Sequence, residues 1–270
     1  MRIQFLNMRK MRNHPTMNSP ASSHPTQPPA VATSERSLMV LSVIARHGKP
    51  IAVRKLKELT GLPQSTLYRH LLPLKKWGLV QEQDNFYAPG PLSVQLAWGF
   101  DHTSYLVSNA QPEMLQLAKK CGESVGLMVA VNDQVTCLDM VDSEQSLRCS
   151  FSKGRSHPLS RGASAKAVLA HLPQAMAENI VERQLHGKDD DIARLHGELA
   201  AIRSQGYAVS EGEVDWGVWG VSAPVFYKPG QAAGAITLMA PAIRAEERQR
   251  ELIAATVQAA ATISERLALF

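Results

Sequence analysis

Between Val53 and Gly78 one short local pattern occurs twice, and few folds accommodate it. The run Val53–Thr60 places Val53, Leu56 and Leu59 at three-residue steps and stops at Gly61. A second run opens at Pro63, where the missing N–H costs nothing in a first helical turn, and reaches Trp77 with Leu67, Leu71 and Leu74 on one face. The spacing predicts two helices joined at a tight turn. Pro73, inside the second run, predicts a kink or an early end. Upstream, Ser34 and Ser37 precede the apolar positions Leu38, Leu41, Ile44 and Ala45, a helix closed by Gly48 and Pro50. Downstream, Gly78 stops the third helix, Leu79–Glu82 alternates as a strand, Asp84-Asn85 turns, and Phe86-Tyr87 returns. Three helices and a hairpin within residues 34–90 make a winged helix-turn-helix.

Charge agrees with that architecture. The first 90 residues carry a net +9 and the remaining 180 a net −4, for +5 over the chain. A basic first third on an acidic body is the layout of a nucleic-acid reader with a separate second domain. With the three leucines buried, the other face of the third helix presents Gln64, Ser65, Tyr68 and Arg69, with Thr66 beside them. Gln64 suits bidentate pairing with adenine, and Arg69 suits guanine or a phosphate. Ser65 and Thr66 lie near a helix start, whose N–H groups suit a phosphate oxygen. Double-stranded DNA is the expected partner.

Other segments complete the layout. Residues 1–33 hold five prolines among Ser, Thr, Asn, Gln and His, four basic residues and no acid, and are read as a disordered tail. Residues 91–110, with Leu92, Val94, Leu96, Ala97 and Phe100, read as a linker helix. Residues 111–270 read as a second, α+β domain. It begins with a helix from Gln111 to Cys121, then a hairpin Val125–Val131/Val135–Val141 turning at Asn132-Asp133. Leu147–Ser152 is a third strand candidate. Helices follow at Ser164–His171, Ala175–Leu185 and Ile192–Gln205, then strands Val218–Phe226 and Gly234–Met239, and a closing helix Ala245–Leu267.

Several function classes lack their signatures. No G-x-S-x-G elbow, P-loop, H-E-x-x-H or glycine-rich dinucleotide fingerprint occurs, so neither catalytic residues nor a cofactor are expected. Cys121, Cys137 and Cys149 have no C-x-x-C spacing, and His186/His196 and Cys149/His157 are not familiar ligand pairs, so no metal is expected. No apolar run approaches the ~18 residues of a membrane span, and no secretory h-region is read near the start. A cytoplasmic protein is the expectation.

A resemblance sharpens this reading. The winged helix is followed in order by Arg155-Ser156-His157-Pro158-Leu159, Ala163–Ala170, Gly206-Tyr207-Ala208, Gly212-Glu213 and Gly217–Phe226, a series that resembles the IclR family of bacterial transcriptional regulators over residues 34–268. The resemblance implies a winged-helix dimer, in places paired into tetramers, with a GAF-like C-terminal domain of antiparallel sheet flanked by helices. That domain would bind a small organic acid, an aromatic one among the options, and so alter operator binding. The alternative is a C-terminal domain that only oligomerises. Carried over by position, the pocket would comprise the backbone at Ala163 and Ser164, Ser210, Val218, Gly220, Thr237 and Met239. The residues themselves suit an acid: helix-start amides at Ala163 and Ser164, hydroxyls of Ser210 and Thr237, an apolar wall of Val218 and Met239. The chain departs from the family pattern at Lys57, where a small residue is usual, at Pro73, and at the bulky Trp216 and Trp219.

Overall fold

The computed structural model describes residues 33–269. Apart from Thr33, the tail read from residues 1–33 lies outside them. The winged helix comprises α1 (Thr33–His47), β1 (Ile51–Ala52), α2 (Val53–Thr60), α3 (Gln64–Lys76), β2 (Val80–Gln83) and β3 (Phe86–Pro89). Its core gathers Val40, Val43 and Ile44 from α1, Leu56 from α2, and Leu67, Leu71 and Leu74 from α3 against Ile51, Val80 and Tyr87. Three residues of the expected apolar stripes point out: Leu38 is 64% exposed, Leu59 51%, and Ala45 is exposed as well. The buried stripe of α1 keeps Ile44 and the half-buried Leu41 of the predicted one and adds Val40 and Val43, so it is turned toward β1, whose Ile51 lies in the same core.

Helix ends follow local chemistry. Gly61 caps α2 at φ 69°, where only glycine is unstrained, and its N–H donates to the Lys57 carbonyl. Pro63 is the residue before α3 rather than its first turn. Pro73 does not end α3: it is exposed, so the Arg69 carbonyl that loses its donor lies on the wet side of the helix. Asp84 and Asn85 turn the wing at φ 51° and 63°.

From the wing, α4 (Leu92–Thr103) leads to α5 (Tyr105–Cys121), which opens six residues before Gln111 because Ser104 accepts a hydrogen bond from the Val107 N–H and starts a new helix. The C-terminal domain is one six-stranded antiparallel sheet of β4 (Ser124–Val131), β5 (Gln134–Val141), β6 (Ser156–Pro158), β7 (Ala208–Glu211), β8 (Val218–Lys228) and β9 (Gln231–Pro241), in the order β6-β5-β4-β9-β8-β7. Between strands lie α6 (Ala163–Leu169), α7 (Gln174–Gln184) and α8 (Asp189–Gln205). After them come α9 (Ala242–Ala245) and α10 (Gln249–Leu267). Leu147–Ser152 is not a strand. That edge is taken by β6, whose His157 pairs with Val135. The closing helix is two helices, with Arg248 turned aside to the Cys121 carbonyl.

Strand alternation sorts the sheet into two cores. Trp219, Val221, Ile236 and Leu238 pack against α5 and α10, whereas Met128, Val135, Ala235 and Met239 pack against α6, α7 and α8. A buried Glu123–Arg244 pair, 2.7 Å at both contacts, ties the end of α5 to α9. Among the described residues no helix is long and apolar enough to cross a membrane.

Candidate nucleic-acid interface and ligand chamber

The outer face of α3 is open. Gln64, Ser65, Tyr68 and Arg69 are exposed and Thr66 is half-buried, while Leu67, His70, Leu71 and Leu74 face the core. No side chain caps α3, so its first-turn N–H groups face solvent beside Ser65 and Thr66. Gln64 Nε2 donates to the Tyr68 hydroxyl at 3.2 Å, holding the two polar heads together. Lys57 is exposed on α2. Behind this face His70 is 2% exposed, with Nδ1 on the Ser37 hydroxyl at 2.8 Å and Nε2 unpartnered. Burial, with Arg69 and Arg36 adding to it, holds the imidazole below its usual value.

In the second domain, residues far apart in sequence border one small chamber. Ala163 and Ser164 come from α6, Ser210 from β7, Val218 and Gly220 from β8, and Thr237 and Met239 from β9, and all seven line it. Sheet register brings them together: Ser210 pairs with Gly220, and Gly220 with Met239. Its enclosed volume is about 30 Å³, room for a water or two. It shares Phe151, Asp215, Val218 and Met239 with an open groove of about 600 Å³.

The polar inventory differs from the sequence expectation. The Ala163 N–H is not free for a ligand, because it donates to Ser210 Oγ at 2.8 Å. Thr237 Oγ1 meets Ser222 Oγ at 2.8 Å. Neither tryptophan lines the chamber: Trp219 is buried on the opposite face of the sheet, and Trp216 stands 97% exposed at the outer groove. Sequence reasoning missed His157, Gly162 and Glu213. His157 stacks on Phe151 at 5.6 Å, the Phe151 ring also carrying the Arg155 guanidinium at 4.4 Å, with Ser164 Oγ 3.5 Å from Nε2 and no partner on Nδ1. Burial, with Arg155 beside it, pushes this imidazole down to about 4. Glu213 accepts from the Gly162 N–H at 2.9 Å and from Lys166 Nζ at 2.8 Å. The inward phase of His157 is an alternation signal in β6. The reach of Glu213 to a lysine 47 residues away has no local signal.

Among the described residues no cluster of His, Cys, Asp or Glu could hold a metal ion, and the three cysteines are free thiols. The fold is that of a winged-helix DNA-binding protein with a separate C-terminal α+β domain. Two family profiles match the chain: "IclR helix-turn-helix domain" over residues 33–84 and "Bacterial transcriptional regulator IclR C-terminal" over residues 102–265. Relatives include the HTH-type transcriptional regulator BhcR of Paracoccus denitrificans, 27% identical with 85% of each chain covered. The transcriptional repressor IclR of Escherichia coli is 24% identical over 92% of this chain and 97% of its own. The crystal structure of an IclR family transcriptional regulator from Brucella abortus superposes with a TM-score of 0.74 at 20% identity, covering 87% of this chain and 92% of that one. The chain belongs to the IclR family of transcriptional regulators. Like these relatives it is a DNA-binding regulator and not an enzyme.

Proposed function

We propose that this regulator reads operator DNA through Gln64, Ser65, Thr66, Tyr68 and Arg69, and that a small organic acid bound in the C-terminal chamber changes its operator affinity. The observation that carries the sensing half is convergence: four separate segments place hydroxyls and an apolar wall around one buried space. The interface half rests on the open, uncapped and polar face of α3. The regulator works in the cytoplasm, where operator DNA lies, as a homodimer or tetramer. Support for self-association comes from α4, where Val94, Leu96, Trp98 and Phe100 are all 43% exposed or more.

The chamber's small volume favours a second reading, in which the C-terminal domain only oligomerises. One experiment separates the two. The full-length protein is screened by thermal shift against small organic acids, and any hit is carried into a gel-shift assay on the DNA upstream of its own gene. An acid that raises the melting temperature and moves operator affinity by roughly 5–150-fold is the expected result. Intact DNA binding with no stabilising acid would leave the oligomerisation reading.

A further inference from the structure

As it stands, the chamber has neither room for an organic acid nor an idle cation to hold one. It encloses about 30 Å³. Arg155 is paired with Asp215 at 3.2 Å, Lys166 with Glu198 at 2.6 Å and Glu213 at 2.8 Å, and Arg161 donates to the Glu213 carbonyl. A ligand can approach from the groove that shares Phe151, Asp215, Val218 and Met239 with the chamber, but to seat in the chamber itself it needs part of the wall to move. Ser164, Thr237 and Met239 are buried on elements that carry the core, so moving them opens the domain. Glu213 is different. It stands on the six-residue turn Gly212–Gly217 between β7 and β8, whose end glycines have φ 67° and 74°, and its side chain is one-third exposed. It also forms a partition, lining the chamber on one side and, on the other, a polar cleft of about 430 Å³ that holds Arg161, Lys166 and Arg194.

We infer that Glu213 is a resident carboxylate occupying the place of the effector's own, so that the ligands of this chamber are carboxylates that displace Glu213 and take over the Gly162 N–H and the Lys166 ammonium. The inference rests on the reading of the chamber as a ligand site. The charge requirement follows from burial. Lys166 is 7% exposed and is held by two carboxylates, so withdrawing Glu213 leaves it with Glu198 alone and strands the Gly162 N–H. A neutral molecule does not replace the second carboxylate of that buried ammonium, and an anion does. A second buried polar group beside the chamber lacks a partner: His157 lines it, is 92% buried, and has none on Nδ1. Glu213 thereby acts as a specificity residue, admitting a ligand by charge and lowering its apparent affinity by the fraction of time the chamber is already filled.

The side chain of Glu213 is propionate in all but its attachment, which supplies the probe. Full-length wild type and Glu213→Ala are titrated calorimetrically with propionate and with neutral propionamide. The expected result is propionate binding about tenfold or more tighter in Glu213→Ala than in wild type, with no such gain for propionamide. Equal propionate affinity in both proteins, or a folded Glu213→Ala that binds none, overturns the inference. If Glu213→Ala shows no cooperative melting, Glu213→Gln is used, since it keeps the length and removes the charge; its propionate affinity should also rise, and an unchanged one overturns the inference. Gel shifts separate this from the sensing proposal. Propionate held by Glu213→Ala without change in operator affinity supports the displacement and removes sensing. An acid that shifts operator binding while Glu213→Ala fails to bind propionate does the reverse.

Discussion

Arg46 at the end of α1 and Asp133 in the β4–β5 turn meet at 3.3 Å, joining the winged helix to the C-terminal domain across 87 residues of sequence. The Asp133 carbonyl accepts hydrogen bonds from Gln184 Nε2 and the Leu159 N–H, so the turn is tied to the segment that follows His157. Both ionised side chains are about one-third exposed, at 38% and 34%. Solvent screening at that exposure holds such a pair to less than about 1 kcal/mol. A double-mutant cycle of Arg46→Gln and Asp133→Asn should return a coupling below that figure, shrinking further in 1 M salt. A coupling of several kcal/mol would show instead that the two domains are locked through this contact.

On the α3 face, Gln64 and Arg69 should be told apart by the form of their losses. Gln64→Ala is expected to cost about 1–3 kcal/mol on the native site and to relax specificity at one base pair. Arg69→Ala, removing a phosphate contact, should weaken binding to all sequences alike and lower the salt slope by about one. Competition gel shifts across operator variants at several salt concentrations report both. Unchanged binding in both variants would remove α3 from the interface.

Trp219 and Gly220 are neighbours on β8 that face opposite ways. Trp219→Ala opens a hole among the residues packed on α5 and α10, an expected loss of about 3–5 kcal/mol. Gly220→Ala should be nearly neutral for folding, since its new methyl meets only the Leu238 carbonyl at 3.7 Å and Ala163 and Ser210 at 4.0 Å. That methyl projects into the chamber, so ligand binding should fall while the melting temperature holds. Denaturant unfolding and calorimetry on the two variants test the division of labour.

The His157 imidazole should make the fold acid-sensitive. Burial, with Arg155 beside it, sets the imidazole at about 4, against 6.5 for an unburied ring, while the Arg161 backbone and Asp215 oppose part of that shift. As pH falls below about 6.5 the unfolded chain takes up a proton that the folded chain refuses until about 4. Stability is therefore full above 6.5 and declines through that window, by about 3 kcal/mol from this residue. His70 adds a slope of the same sign. The difference between wild type and His157→Gln, measured by urea unfolding at pH 7 and pH 4.5, isolates the His157 share. Parallel pH profiles would mean that the ring takes up its proton equally in the folded and unfolded chains, so that burial does not hold it neutral.

How much was readable from the chain depends on the range of the signal. The Val53–Thr60 helix, its Gly61 cap, the Asp84-Asn85 turn and the Asn132-Asp133 turn follow from rules that act within a turn or two, and the structure has them where the spacing put them. The α1 stripe was half read: Leu41 and Ile44 face the core as spaced, while Val40 and Val43 were missed because β1, only two residues long, leaves no pattern to detect. Leu147–Ser152 was mistaken for a strand because alternating character does not reveal whether an edge offers a hydrogen-bonding partner, and β6 holds that edge.

By itself, then, the amino-acid sequence determined the winged helix and the polar outer face of α3, because periodicity, caps and left-handed turns are local consequences of residue type, whereas the seven residues that border the chamber came from the family resemblance. The tertiary structure decided that Trp219 turns away while Gly220 turns in, that Ser210 already holds the Ala163 N–H, and that Glu213 reaches Lys166. Those contacts join segments dozens of residues apart. They follow from sheet register and loop path, which are selected by burying both cores at once and leave no trace in any short stretch of sequence.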